Sequence, residues 1–246
     1  MTEDEWTSNT DLQDMIVFVA FQTGMRKSRL FAAACCRRIW HLMGDLGGRD
    51  AVALVECLAD GLSGEAKLVA VLASVSLALD EMSTPATAFI TRADYLATAA
   101  AHWLLRSHPD HVMGAAWPAA EAVGREALAA ATPGMDLRLV RDAAEKGESD
   151  RQRQLLHDIF GVSLFRELRI DPTWLTWHDG IVRRLAATAY QQRTLPSGLL
   201  DNAYLAVLAD ALEEAGCINP DILNHCRQPG EHVRGCWVID ALLGKT

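Results

Sequence analysis

From Leu200 to Leu243 the chain reads LDNAYLAVLADALEEAGCINPDILNHCRQPGEHVRGCWVIDALL, and this stretch leaves little choice of fold class. Leu205, Leu208 and Leu212 recur at helical spacing, with Tyr204 and Ala215 beside them. Asp201 stands where an N-cap belongs, and Gly216 where a glycine closes a helix. Asn219-Pro220 then opens a short helix over Asp221 to Cys226, because proline at the first helical position gives up an N–H that would have had no partner. Pro229-Gly230 is a turn. From His232 onward, Val233, Trp237, Val238, Ile239, Leu242 and Leu243 leave almost no polar face, which predicts a buried helix running to Gly244.

The rest of the chain is punctuated in the same way. Asp11 caps a helix through Met15, Ile16, Phe18, Val19 and Phe21, ended by Gly24. Arg26 to Met43 is a second helix, with Phe31, Cys35, Cys36, Ile39 and Trp40 on one half and Arg26, Lys27, Arg37, Arg38 and His41 on the other. The acidic residues Asp201, Asp210, Glu213 and Glu214 are the expected partners of that basic face. Asp50 to Ala59 is a short helix, and Ser63-Gly64-Glu65 opens another that reaches Met82. Pro85 to Ala131 is alanine-rich, with Phe89, Tyr95, Trp103, Leu104 and Trp117 spread thinly, and Pro109 and Pro118 each start or kink a helix. Thr132 to Asp150 reads as a hinge or linker, with a helix over Leu137 to Lys146 as the alternative. Arg151 to Phe160 is helical and Gly161 stops it; Val162 to Ile170 is extended or a turn. Asp171-Pro172 starts a helix, and His178 to Tyr190 forms another.

No segment alternates with period two. The expected fold is therefore all-α, a multi-helix globular bundle joined by short Gly/Pro turns. It is read as one domain over 1–246, divisible into N-terminal helices with an alanine-rich arm (1–131) and a C-terminal helical part (150–246).

Half the residues are hydrophobic, which excludes a disordered chain, and a net charge of -9 argues against a nucleic-acid binder. The first residues are acidic (Glu3, Asp4, Glu5), unlike a signal or transit peptide. The longest apolar run, Leu68 to Leu79, is too short for a bilayer. A cytoplasmic protein is expected, and six cysteines there are free thiols or metal ligands rather than disulfides. P-loop, GxGxxG, HExxH and GxSxG patterns do not occur. What these exclusions leave is a non-enzymatic helical module that works on a protein partner. A Cys/His metal-binding protein and a small-molecule-binding enzyme of unrecognised type are the alternatives.

Four strings carry a resemblance: RLFAAACCRRIW (Arg29 to Trp40), LLHDIFG (Leu155 to Gly161), DPTWLTWHDG (Asp171 to Gly180), and Leu208 to Gly244, which contains LADALEEAGC and HVRGCWVIDALLG. Together they resemble a large family of planctomycete-type bacterial proteins with no established activity. The resemblance implies that the two ends belong to one fold and that the alanine-rich middle varies; it implies no catalytic residue.

Cys217, His225, Cys226, His232 and Cys236 are the candidate metal ligands, since zinc takes Cys and His donors tetrahedrally. His232 and Cys236, four apart, would share one face of the last helix. The spacing matches no zinc motif, however, and a wheel places Cys236 with Ile239 and Leu243, where a cysteine packs as a small hydrophobe. Buried thiols are the expected state, zinc the alternative. His178-Asp179 beside Trp177 could act as an acid–base pair, but the favoured reading has Asp179 capping the following helix. Trp174 and Trp177 could line a groove, with core packing favoured.

Overall fold

A computed structural model of the protein describes all residues except 45–46, 63, 84–91 and 246, and the side chain of Glu65. Ser63, at the expected opening of a helix, and Pro85 and Phe89, in the alanine-rich stretch, lie outside the described residues. The protein is all-α: among the described residues there is no sheet, only isolated bridges pairing Thr194 with Leu199 and Leu199 with Val233. No described helix is long and apolar enough to cross a membrane.

The helices are α1 (Glu3–Ser8), α2 (Leu12–Ala20), α3 (Met25–Arg38), α4 (Gly48–Ala59), α5 (Glu65–Met82), α6 (Ala93–Leu104), α7 (Pro109–Met113) and α8 (Ala116–Ala129), followed by α9 (Leu137–Phe160), α10 (Pro172–Gln191), α11 (Asn202–Glu214), α12 (Pro220–Arg227) and α13 (Trp237–Leu243). The N-caps are local chemistry. The carboxylates of Asp11, Asp171 and Asp201 and the side chain of Asn219 each accept from the backbone N–H two residues on. The chain forms two compact units, Asn9–Arg153 and Met1–Ser8 with Gln154–Thr246.

In the unit 9–153, α3 packs on α4 and α7, and α6 on α4, α5 and α8. Phe31, Cys35, Cys36, Ile39, Leu104 and Met113 are fully buried there. Ala97, Ala100, Ala101, Ala116, Ala119 and Ala122 are buried too, and their small side chains let α6 and α8 come close.

The basic face of α3 is answered within its own unit. Arg37 donates twice to Glu56, at 2.6 and 2.7 Å, and Arg38 twice to Glu148, at 2.7 and 3.0 Å. Arg26 pairs with Asp60, and His41 with Glu126. This corrects the expected pairing with the acidic stretch on α11, where Asp210 and Glu213 instead hold Arg227. The segment expected to be a linker, Thr132 to Asp150, is mostly helix: α9 begins at Leu137 and continues for 24 residues. Glu148 and Gln152, the latter donating to the Ala116 carbonyl at 3.0 Å, tie it into the unit.

In the unit made of residues 1–8 and 154–246, α10, α11 and α13 pack around Val182, Leu205, Leu208, Leu212, Val238 and Ile239. Two expectations are corrected here. The helix read from His178 is preceded by a break in which His178 (φ 43°) and Asp179 (φ 56°) take left-handed backbone. Asp179 therefore lacks the extended backbone of an N-cap, and both residues are exposed. Trp174 and Trp177 pack, partly buried, against the core. The last helix starts at Trp237 rather than at His232. Val233 to Cys236 is a turn, closed by the Cys236 N–H donating to the Val233 carbonyl at 3.0 Å, with Gly235 at φ 97°.

Gly161 ends α9 at φ 48°, and a Cβ built there would land on the Trp237 indole ring. Gly161→Ala is thus expected to destabilise the protein by about 1–3 kcal/mol through overpacking, with further cost from the left-handed backbone. A urea unfolding midpoint equal to that of the parent chain would contradict this contact.

Candidate functional site

The site is built where three pieces of chain meet: the last turn of α9, the C-terminal half of α12, and the turn before α13. Asp158 comes from α9 beside Leu155, Leu156 and Ile159, all fully buried, so the apolar face of the helix carries the carboxylate into the interior. His225 sits on the inner face of α12 with Ile222 and Cys226. His232 and Cys236 flank the turn. One donor atom from each of these four residues lies within 4.8 Å of the other three, and all four side chains are buried.

Asp158 is the hub. Its Oδ2 accepts the Val233 N–H at 2.8 Å, while its Oδ1 lies 2.6 Å from His232 Nδ1 and 3.2 Å from His225 Nε2. Burial works to raise its pKa, but the hydrogen bonds from the two imidazoles outweigh it and hold the carboxyl at about 2. His232 has an acceptor at each nitrogen, Asp158 at Nδ1 and the Gln228 carbonyl at Nε2, 3.5 Å away. Burial pulls its pKa down, but the hydrogen bond to Asp158 and that residue's charge more than offset this, and the net shift is upward. Asp158 and His232 form a buried pair at 2.6 Å that favours the charged imidazole.

His225 is different. The indole Nε1–H of Trp237, which can only donate, points at His225 Nδ1 at 3.1 Å. Nδ1 must then be an acceptor, so the ring proton sits on Nε2, shared between Asp158 and the Cys236 sulfur 3.1 Å away. Cys236 is fully buried, and burial pushes its thiol well up.

This geometry excludes a cysteine–histidine–aspartate nucleophile. In such a triad the acid holds one imidazole nitrogen and the nucleophile faces the other. Here sulfur and carboxylate share Nε2, and the thiol is inaccessible as well as protonated. The same four groups make a complete metal-ligand set of one carboxylate, two imidazoles and one thiol. A tetrahedral zinc ion needs its donors about 3.3–3.7 Å apart. The pairs at 3.1 and 3.2 Å would spread by a few tenths of an ångström, the Asp158–His232 pair by somewhat more, and the remaining pairs, which reach up to 4.8 Å, would close by up to about 1 Å. The surrounding groups suit ligation too: the Val233 N–H fixes Asp158, and the Gln228 carbonyl faces the far nitrogen of His232. Two hollows reach the cluster. One of about 250 Å³ is lined by His225, Trp237, Trp6 and Phe165; another of about 470 Å³ is lined by Asp158, His232, His157 and Gln228.

Of the five ligands expected from sequence, His225, His232 and Cys236 are in this group. Cys217 and Cys226 are outside it, buried in the apolar core of the unit, where burial raises both thiols, that of Cys226 to about 12. His232 and Cys236 do not share a helix face, because Cys236 is the N-cap of α13; it is nonetheless buried in the apolar core with Ile239, as the wheel expected. Asp158 was missed. The one local signal for it is a charged residue on the apolar face of α9, between Leu155 and Ile159. No family model, no curated protein and no solved structure matches this chain.

Proposed function

We propose that the unit 1–8 with 154–246 is a zinc-holding structural module, with Asp158, His225 Nε2, His232 Nδ1 and Cys236 as the ligands of one ion. The observation that carries this reading is the convergence of four buried donors of the right kinds. Charge supports it: two anionic ligands and two neutral imidazoles balance a dication. Four protein ligands leave no open position, which is the arrangement of structural rather than catalytic zinc. The chain would then act by contact with other proteins, through helices that the ion holds in register.

A second reading, a metal-free hydrogen-bonded clasp, is favoured by the Trp237 indole. Zinc on Nε2 would move the His225 proton to Nδ1, against the indole N–H. Turning the Gln228 amide, 3.2 Å away, would give that proton an acceptor, and the indole donor would be the one left over. Orphaning one buried donor costs about 1–3 kcal/mol. Structural zinc contributes an apparent free energy of about 10–16 kcal/mol in small folded sites. Ligation of that order would outweigh one orphaned donor, and metal analysis tells the two readings apart.

The test is elemental analysis of protein purified without chelator. About one zinc per chain is expected, falling sharply in Cys236→Ser and His232→Ala and unchanged in Cys217→Ala and Cys226→Ala. Loading should release the Cys236 proton together with that of any charged His232, measurable by titration calorimetry in buffers of different ionisation enthalpy. Protein that holds no zinc, and whose melting temperature added zinc does not change, would establish the metal-free clasp instead.

A further inference from the structure

The helix α5 is apolar on two faces. Val75, Ala78 and Met82 turn into its own unit. On the other side Ala66, Val69, Ala73 and Leu77 are exposed and follow one another at steps of three and four, with exposed Ala70 beside them, and Leu62 extends the row just before the helix. Val69 is 65 % exposed, Leu77 60 % and Leu62 76 %. Exposed apolar residues scattered singly are ordinary; a row of them at the spacing of a helix–helix seam is not.

We propose that this face pairs with the same face of a second copy of the chain, the two α5 helices running antiparallel about a two-fold axis near Ala73. Three features select this occupant. The alanines allow close approach of two helices. A two-fold through Ala73 sets Val69 of one copy against Leu77 of the other, large residue on large, with small on small at the centre. The charges favour it as well: Lys67 lies near the start of the helix, two residues after Glu65, while exposed Asp80 and Glu81 crowd its end, so antiparallel pairing keeps the two acidic ends apart. Antiparallel pairing brings Lys67 of one copy to the Asp80 end of the other at both ends of the seam, whereas parallel pairing stacks like charge on like. The helix dipoles are opposed in the same arrangement. An isologous contact closes at two copies. A seam of 18 residues is about 27 Å long, at the small end for a specific interface, so the dimer is reversible.

Sedimentation equilibrium of the full chain, from low micromolar to near-millimolar concentration, tests this. A monomer–dimer equilibrium is expected. Ala73→Glu, which sets two carboxylates on the axis, should leave monomer with an unchanged circular dichroism spectrum. Lys67→Glu and Asp80→Lys should each weaken association, and the two together should restore it. All of this should hold with and without chelator, because α5 belongs to the unit that lacks the metal-ligand cluster. Monomer at every concentration, a dimer indifferent to Ala73→Glu, or no rescue by the double charge exchange would overturn the proposal. So would a chain that stays monomeric while a different protein binds this face.

Discussion

Asp158→Ala is expected to cost the metal-free protein about 3–5 kcal/mol, because it leaves His232 buried and charged without its partner and orphans the Val233 N–H. It should also abolish zinc binding. The pH dependence of the parent chain carries the same information. The Asp158 carboxyl falls from an unfolded value near 3.8 to about 2, so its contribution, on the order of 2 kcal/mol, is complete above the unfolded value. It is lost as the pH falls through the folded one. His232 is raised, so its contribution is complete below the unfolded value of about 6.5 and is lost as the pH rises through the folded one. The metal-free chain should therefore be most stable between about pH 4 and 6.5. The zinc-loaded chain should do the opposite through neutrality, gaining stability as the pH rises, because protons compete with the ion for His232 and Cys236. Unfolding midpoints across this range, with and without chelator, separate the two. Identical curves would remove the metal.

Trp237→Ala is expected to cost about 3–5 kcal/mol, the range for deleting a large buried aromatic side chain. The indole is 4 % exposed, lies against Gly161, stacks tilted on His225 at 4.9 Å and donates to its Nδ1. A loss below about 1 kcal/mol would mean that α13 is not anchored there. Trp237→Phe divides the effect. It keeps most of the ring and deletes the N–H that forces the His225 proton onto Nε2. In the metal-free clasp this should cost about 1 kcal/mol, a net hydrogen bond. In the zinc-loaded state it removes the leftover donor, so zinc affinity should hold or rise. Weaker zinc binding in Trp237→Phe would contradict the tautomer argument.

What the sequence alone determined is the chemistry that acts within a few residues. An aspartate or asparagine accepting the N–H two residues on is such chemistry, and Asp11, Asp171, Asp201 and Asn219 are legible as caps for that reason. So is the apolar face of α11, set by helical spacing, and with it the all-α class. His225, His232 and Cys236 could be named as candidates because cysteine and histidine are rare enough to notice in one short stretch.

The tertiary structure decided everything that depends on residues far apart. Asp158 is 74 positions from His232, and no local pattern marks an aspartate as the partner of two distant histidines. The same contact decides where α13 begins: Asp158 takes the Val233 N–H and the His232 ring, so the backbone turns there and the helix waits until Trp237. Thr132 to Asp150, rich in charge and holding Gly147, reads as a linker with a helix over Leu137 to Lys146 as the alternative, because propensity weighs only near neighbours. Residues 137–150 of it settle the choice. They are helical in the fold, where Glu148 meets Arg38, 110 positions away, and Gln152 just beyond them reaches the Ala116 carbonyl. Caps and faces are local free energies, readable in a window of a few residues; a buried charge is tolerated only where its partner waits, and the position of that partner is a property of the folded chain.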